Sequence, residues 1–297
     1  MTHTPIRGAG TALITPFRHN GEIDEPALRR FVAWQIEQGI HYLVPCGSTG
    51  EAMTLTLTEH RRVVEITVEE AAGRLPVIAG AGSNDTAKAI ELSKLMASAG
   101  ATHLLHTSPM YNKPPQRGIV AHFRAIADVA PLPVVLYNVP GRTGSNMEAE
   151  TTLELAEHPN IIAIKEASGS ITQISQIVRN RPDGFTVLSG DDVMTLAVMA
   201  DGGDGVISVT SNVTPRLVAE LCIAAARGDF AEAKALHHRL APWTSAAFVE
   251  SNPIPVKAAL AMMGMIENVL RLPLVPLLHT HTDVVRDSLV AVGAIGA

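Results

Sequence analysis

Ile161-Ile162-Ala163-Ile164-Lys165 is followed by Glu166-Ala167-Ser168-Gly169. Four consecutive apolar residues between Pro159-Asn160 and a Ser/Gly turn describe a short strand buried on both faces, and that strand ends in a lysine. Burial disfavours an ammonium and lowers its pKa, and a lysine that is neutral near pH 7 can attack a carbonyl and form a Schiff base. Taken alone, the pentapeptide allows a plainer reading, in which Lys165 marks the strand end and its ammonium reaches back to water. The choice between them depends on what surrounds the strand.

The surroundings repeat the same unit. Apolar cores at Ala12-Leu13-Ile14, Tyr42-Leu43-Val44, Val77-Ile78-Ala79, His103-Leu104-Leu105, Val134-Val135-Leu136, Thr186-Val187-Leu188 and Gly205-Val206-Ile207 join the Lys165 strand. Each is followed by a segment of helical period, over about 25–38, 58–72, 85–99, 116–129, 148–157, 171–180, 193–200 and 215–227 in chain order. Near-continuous apolar strands separated by helices require a parallel sheet covered by helices, and eight such units close into a (β/α)8 TIM barrel. Helix punctuation agrees: Asp24 and Pro26 at one start, Thr58 before Glu59 at another, and Gly73, Gly100 and Gly228 just past helix ends. After Asp229 only helices follow, at about 230–243, 254–265 and 281–292. The expectation is a catalytic barrel over 1–228 and a C-terminal three-helix appendage over 229–297. An open doubly wound sheet stays possible at this point, because periodicity cannot see closure.

Composition narrows the function. Of 297 residues, 46% are hydrophobic and 18% charged, and the formal charge of -6 comes with no basic stripe, which argues against a nucleic-acid partner. Every apolar run is interrupted well before the roughly 18 residues of a membrane span. Twelve His are present, yet HExxH is absent and the two cysteines, Cys46 and Cys222, stand far apart, so neither a metal cluster nor a disulfide framework is expected. The start MTHTPIRG has no secretory pattern, and a cytoplasmic protein is expected. Six Lys against seventeen Arg make a buried lysine a stronger signal than usual.

In a barrel of this kind, function lies on the loops after the carboxyl ends of the strands. Strand two leads to Gly47-Ser48-Thr49-Gly50-Glu51, whose amides can hold a carboxylate and whose hydroxyls can relay protons. Strand four leads to Pro109-Met110-Tyr111-Asn112-Lys113-Pro114-Pro115. Strand five ends in Tyr137-Asn138-Val139-Pro140-Gly141-Arg142-Thr143-Gly144, so two of only three tyrosines lie at the barrel top. A tyrosine in reach of a hydroxyl pair and a lysine suits acid-base work, and Arg142 offers a planar fork for a carboxylate. Strand seven delivers Ser189-Gly190-Asp191-Asp192. The rival apolar-context lysine, Lys257 in Asn252-Pro253-Ile254-Pro255-Val256-Lys257, lies in the tail and ranks far below Lys165. Together these residues point to imine chemistry on a small keto acid.

The motifs GSTGE, PVIAGAGSN, PMYNKPPQ, LYNVPGRTG, IKEASG, VLSGDD, GVISVTSNV and NPIPVKAAL stand in the order found in the 4-hydroxy-tetrahydrodipicolinate synthase (dihydrodipicolinate synthase) family of pyruvate-dependent class I aldolases. The chain resembles that family from Gly10 to about Pro276. GSTGE and the lysine are shared with the N-acetylneuraminate lyases, whereas YNVPGRTG, IKEASG and NPIPVK resemble the synthases in particular. The resemblance implies a lyase of lysine and diaminopimelate biosynthesis that joins pyruvate to aspartate semialdehyde; the alternative is a related aldolase or dehydratase for a sugar-derived 2-keto acid. It also implies roles: Lys165 forms the imine, Tyr137 shuttles protons, Ser48 links it to a Tyr111 supplied by a neighbouring subunit, and Arg142 holds the semialdehyde. Thr49, Gly190 and Ile207 would contact substrate. A homotetramer built as a dimer of dimers is implied, with neither an organic cofactor nor a metal.

Two departures stand out. The family usually has threonine where this chain has Ser48, and the missing methyl leaves the hydroxyl rotamer freer. Members inhibited by lysine carry acidic and aromatic or imidazole groups where this chain has Lys88, Met110 and Leu57, although His60 and Asn84 remain. Weak or absent lysine inhibition is therefore expected.

Overall fold

The computed structural model describes residues 5–296. Among them, eight parallel strands run β1 (Gly8–Ala12), β2 (Tyr42–Val44), β3 (Ile78–Gly80), β4 (His103–Thr107), β5 (Val134–Asn138), β6 (Ile161–Glu166), β7 (Thr186–Ser189) and β8 (Gly205–Ser208). Their hydrogen-bonded order is β2-β1-β8-β7-β6-β5-β4-β3. The two ends of this order meet through a single parallel bridge, Leu43 to Val77, and through the Gly80 amide donating to Pro45 O at 3.0 Å. The sheet is thus a barrel.

The outer layer is built by α1 (Glu25–Glu37), α2 (Leu57–Ala71), α3 (Thr86–Ser98), α4 (Gln116–Ala127), α6 (Ala149–Ala156), α7 (Ile171–Asn180), α8 (Thr195–Ala200) and α9 (Pro215–Ala226), while the one-turn α5 (Pro140–Thr143) lies in the loop after β5. Three helices follow: α10 (Phe230–Ala246), α11 (Ile254–Met262) and α12 (Thr282–Val292). Among the described residues, no helix is long and apolar enough to cross a membrane.

Local differences from the expected phasing have clear causes. α2 is capped by Thr56, not Thr58: Thr56 Oγ1 accepts from the Glu59 amide at 3.2 Å while Glu59 accepts from the Thr56 amide at 2.9 Å. This reciprocal capping box requires the residue three before the glutamate. β1 starts upstream of the Ala12-Leu13-Ile14 run because its small residues are needed inside the barrel. A β-carbon on Gly10 would fall 1.9 Å from the Tyr42 ring, whose hydroxyl donates to Val206 O at 2.8 Å.

Every residue of β6 is buried. Ala163 belongs to the apolar cluster inside the barrel, whereas Ile164 packs outward with Leu136 and Ile174. The alternation then turns Lys165 inward and Glu166 outward. The tail shares the barrel's core: Trp243, Val285 and Leu289 pack in one cluster with Leu13, Leu28 and Val206. The Trp243 indole donates to Thr210 O at 3.0 Å, tying α10 to the turn after β8.

Candidate active site

Strand register brings the chemistry together. Tyr137 on β5 pairs with Lys165 on β6, and Lys165 pairs with Leu188 on β7. The ammonium nitrogen lies 4.4 Å from the Tyr137 ring centroid. Both side chains face a cavity of about 430 Å³ that is also lined by Ser48, Thr49, Arg142, Gly190 and Asp191. Six of the eight side chains or positions expected at the site therefore converge: Lys165, Tyr137, Ser48, Thr49, Arg142 and Gly190.

The remaining two sit apart from the lining. Ile207 is paired with Gly10 in the barrel wall, and its side chain belongs to the interior apolar cluster. Tyr111 stands at the tip of the loop after β4 with φ of 70° and is 87% exposed. Its side chain stands in solvent and takes no part in the cavity lining.

Lys165 is only 5% exposed, and burial lowers its ammonium pKa to about 8; Asp192 opposes the fall and Arg142 adds to it. Asp192 is committed elsewhere, accepting from the Val209 amide at 2.9 Å and the Thr210 hydroxyl at 2.7 Å. Burial pushes the Tyr137 phenol up to about 12, with Arg142 and hydrogen bonding by Ser48 working against it and Asp191 adding to it. The phenol consequently keeps its proton at neutral pH and can pass it along the hydroxyl pair.

Arg142 is carried by α5, which Pro140 starts and Gly144, with φ of 79°, ends. The loop behind it is pinned by a buried polar network that sequence reading did not single out. Asn138 accepts from the Met147 amide at 3.0 Å and donates to Glu166 at 3.0 Å and to Asn146 at 2.8 Å. Glu166 also accepts from the Ser168 amide at 2.6 Å. Burial raises its carboxyl pKa, and the donors from Ser168, Asn138 and Gln173 counter that rise.

The tail completes the site. Asn252 donates to Thr49 Oγ1 at 2.8 Å, and its backbone oxygen accepts from Arg142 Nη2 at 3.1 Å, so one residue touches both predicted carboxylate-binding groups. Because Thr49 accepts from Asn252, its own proton is free to point into the cavity. Thr244, Ser245 and Phe248 line the facing wall. The only sequence signal for these contacts was the NPIPVK motif itself.

Lys257 is as buried as Lys165 and burial also lowers its pKa to about 8, against the pull of Glu51. Its nitrogen is ion-paired to Glu51, donates to Val269 O at 2.9 Å and lies over the Phe17 ring. Its nitrogen is thus held by groups away from the site, and it opens onto no part of the cavity lining. Access separates the two lysines where their acidity does not. Among the described residues, no group of three or more His, Cys, Asp or Glu is placed to hold a metal ion.

Residues 5–292 match the family described as "Dihydrodipicolinate synthetase family". The 4-hydroxy-tetrahydrodipicolinate synthase of Maridesulfovibrio salexigens is 51% identical over 291 residues, which cover 98% of this chain and 99% of that protein. The crystal structure of dihydrodipicolinate synthase from Thermotoga maritima superposes with a TM-score of 0.96 at 43% identity, covering 98% of this chain and all of the other. The chloride-inhibited dihydrodipicolinate synthase of Acinetobacter baumannii in complex with pyruvate gives the same TM-score at 42% identity, over 98% of this chain and 100% of that one.

Proposed function

Because the chain belongs to the dihydrodipicolinate synthetase family, we infer a division of labour within a lyase that condenses pyruvate with L-aspartate 4-semialdehyde to 4-hydroxy-tetrahydrodipicolinate, an early step of lysine and diaminopimelate synthesis. Neutral Lys165 attacks C2 of pyruvate, and the carbinolamine loses water to give a protonated imine. Thr49 and the amides beside it receive the pyruvate carboxylate, with Gly190 and the Ile207 backbone bounding the bound acid. The positive imine then draws electrons from C3, which gives up a proton through Tyr137 and Ser48 and becomes an enamine carbon.

That carbon attacks the aldehyde of the second substrate, whose carboxylate is held by Arg142, and the new alkoxide takes the relayed proton. The substrate's amine next adds to C2 and expels Lys165, closing the ring. One water leaves in the whole sequence, at imine formation. The electron sink is the imine itself, so these roles call on neither an organic cofactor nor a metal. The observation that carries the reading is the convergence of a dry, partly neutral Lys165 with Tyr137, Thr49 and Arg142 in one cavity.

We assign Tyr111 to the site of an adjacent subunit, which would make the enzyme at least a dimer and, by likeness to the family, a homotetramer built as a dimer of dimers. The exposure of this tyrosine supports that reading. Residues 1–228 are assigned as the catalytic barrel and 229–297 as the helical unit that seals it, residues 1–4 and 297 of these ranges lying outside the described ones, and the cytoplasm as the compartment of a biosynthetic enzyme of this kind. The deciding experiment is pyruvate-dependent consumption of aspartate semialdehyde, with Lys165→Ala as the blank and sugar aldehydes alongside. Turnover confined to the semialdehyde is expected. A borohydride-trapped pyruvate adduct on Lys165 without such turnover would keep the imine and overturn the second substrate.

A further inference from the structure

The buried pair Lys257–Glu51 lies directly behind the hydroxyl loop, and it is dry on both sides: each side chain is 0% exposed. A buried ion pair of this kind is a poor source of stability, because desolvation offsets most of the attraction and an apolar pair of the same volume does as well. Its value lies in fixing geometry. The geometry here is unusual, since residues 47–50 are bracketed by two non-glycine residues in the left-handed region, Cys46 with φ of 57° and Glu51 with φ of 54°. Such a backbone persists only where its surroundings over-determine it.

Glu51 is over-determined. One carboxylate oxygen meets Lys257, while the other accepts from the Arg271 amide at 3.0 Å. The Lys257 nitrogen and the Arg271 guanidinium lie 4.1 and 4.3 Å from the Phe17 ring centroid, so the ring is shared by both cations. From Glu51 the chain folds tightly back, its amide donating to Ser48 O at 3.2 Å and the Gly50 amide to Gly47 O at 3.1 Å. On the cavity side, Asn252, five residues before Lys257, grips Thr49. The start of α11 therefore holds the loop from the front through Asn252 and from behind through Lys257.

Resting on the functional reading above, we propose that Lys257 and Glu51 are a positioning pair for the reaction: they hold residues 47–51 so that Ser48 and Thr49 face Lys165, and neither touches substrate. The test compares Lys257→Met, Lys257→Arg, Glu51→Gln and the Glu51→Gln/Lys257→Met double variant. Borohydride trapping of pyruvate on Lys165 is followed against pyruvate concentration, with thermal unfolding recorded in parallel. Half-saturating pyruvate should rise at least about tenfold in Lys257→Met and in Glu51→Gln, since small misplacements of a binding group are costly. The double variant should be no worse than the poorer single one, Lys257→Arg should recover part of the loss, and the KM for the aldehyde at saturating pyruvate should stay close to wild type.

Glu51→Gln keeps an acceptor for the Arg271 amide, so it carries the comparison if Lys257→Met does not fold. Trapping curves that superimpose on wild type in a folded variant, or losses that simply add in the double variant, would overturn the pair's role. Absence of an adduct on wild-type Lys165 would instead overturn the functional reading.

Discussion

Gly190 supports the stem of Lys165: a β-carbon on the glycine would stand 3.0 Å from Lys165 Cγ and 2.8 Å from Ala167 Cβ. Position 190 can carry no side chain without displacing Lys165 or Ala167. Gly190→Ala should therefore lower kcat/KM by about 10- to 100-fold through misplacement of the amine, with a stability cost of about 1–3 kcal/mol for the added methyl. Steady-state kinetics alongside urea unfolding separates the two effects. An unchanged kcat/KM would mean that the lysine does not need this room.

In the proposed mechanism the acidity of Lys165 sets a pH dependence for the first covalent step. With a pKa of about 8, the neutral amine is about one tenth of the total at pH 7 and about nine tenths at pH 9. Borohydride trapping of pyruvate at low concentration should accelerate across that interval and level off above it. A rate still rising in proportion to hydroxide beyond pH 9 would return Lys165 to an ordinary surface acidity.

In the proposed mechanism Arg142 holds the second substrate through a charged hydrogen bond. Arg142→Ala should raise the KM of aspartate semialdehyde and lower kcat/KM for it by about 10- to 100-fold, the usual range for losing such a bond. Pyruvate trapping on Lys165 should persist. Wild-type kinetics in this variant would contradict the substrate assignment.

Acid stability should be governed by two buried imidazoles away from the site. His106 accepts no proton until about pH 3 and His122 until about pH 4, both mainly because of burial. In the unfolded chain each takes up a proton near pH 6.5. Between those limits the unfolded state binds more protons, so stability is fully present above about pH 6.5 and is lost as the pH falls. Urea midpoints should decline from pH 7 to pH 5, and His122→Gln, which can still pair with Thr86, should flatten the decline. A flat wild-type profile would contradict the burial of these rings.

Free lysine should inhibit weakly or not at all. Leu57 is 64% exposed, whereas His60 is buried with Nε2 committed to Gly80 O at 2.8 Å. Lys88 adds an exposed positive charge on α3. Isothermal titration with lysine should give no resolvable heat; tight binding would contradict the electrostatic argument.

Much of this was legible in the sequence because the decisive signals are local. The strand ending in Lys165 is a continuous apolar run, and the strand-to-loop transitions at Tyr137 and Gly47 carry their own punctuation. What could not be read depends on long returns of the chain. The Asn252–Thr49 contact spans 203 positions, and no periodicity reports a contact of that separation. Small residues misled in a different way: β1 is made of Gly, Ala and one Thr, lacks the large apolar and aromatic residues that announce a strand, and owes its identity to the Tyr42 ring that fills the space beside Gly10. The isolated turn α5 was missed because four residues carry no helical period.

The wall formed by Thr244, Ser245 and Phe248 on the C-terminal side of the cavity has a consequence for how such enzymes diversify. The bond-making groups sit on barrel strands and their loops, where each is constrained by register with its neighbours. The wall belongs to another part of the chain, and the proposed mechanism gives it no step in imine formation. Variation there can reshape the space for an incoming aldehyde while leaving the nucleophile untouched, so new acceptors can be explored by substitution without first giving up the old chemistry.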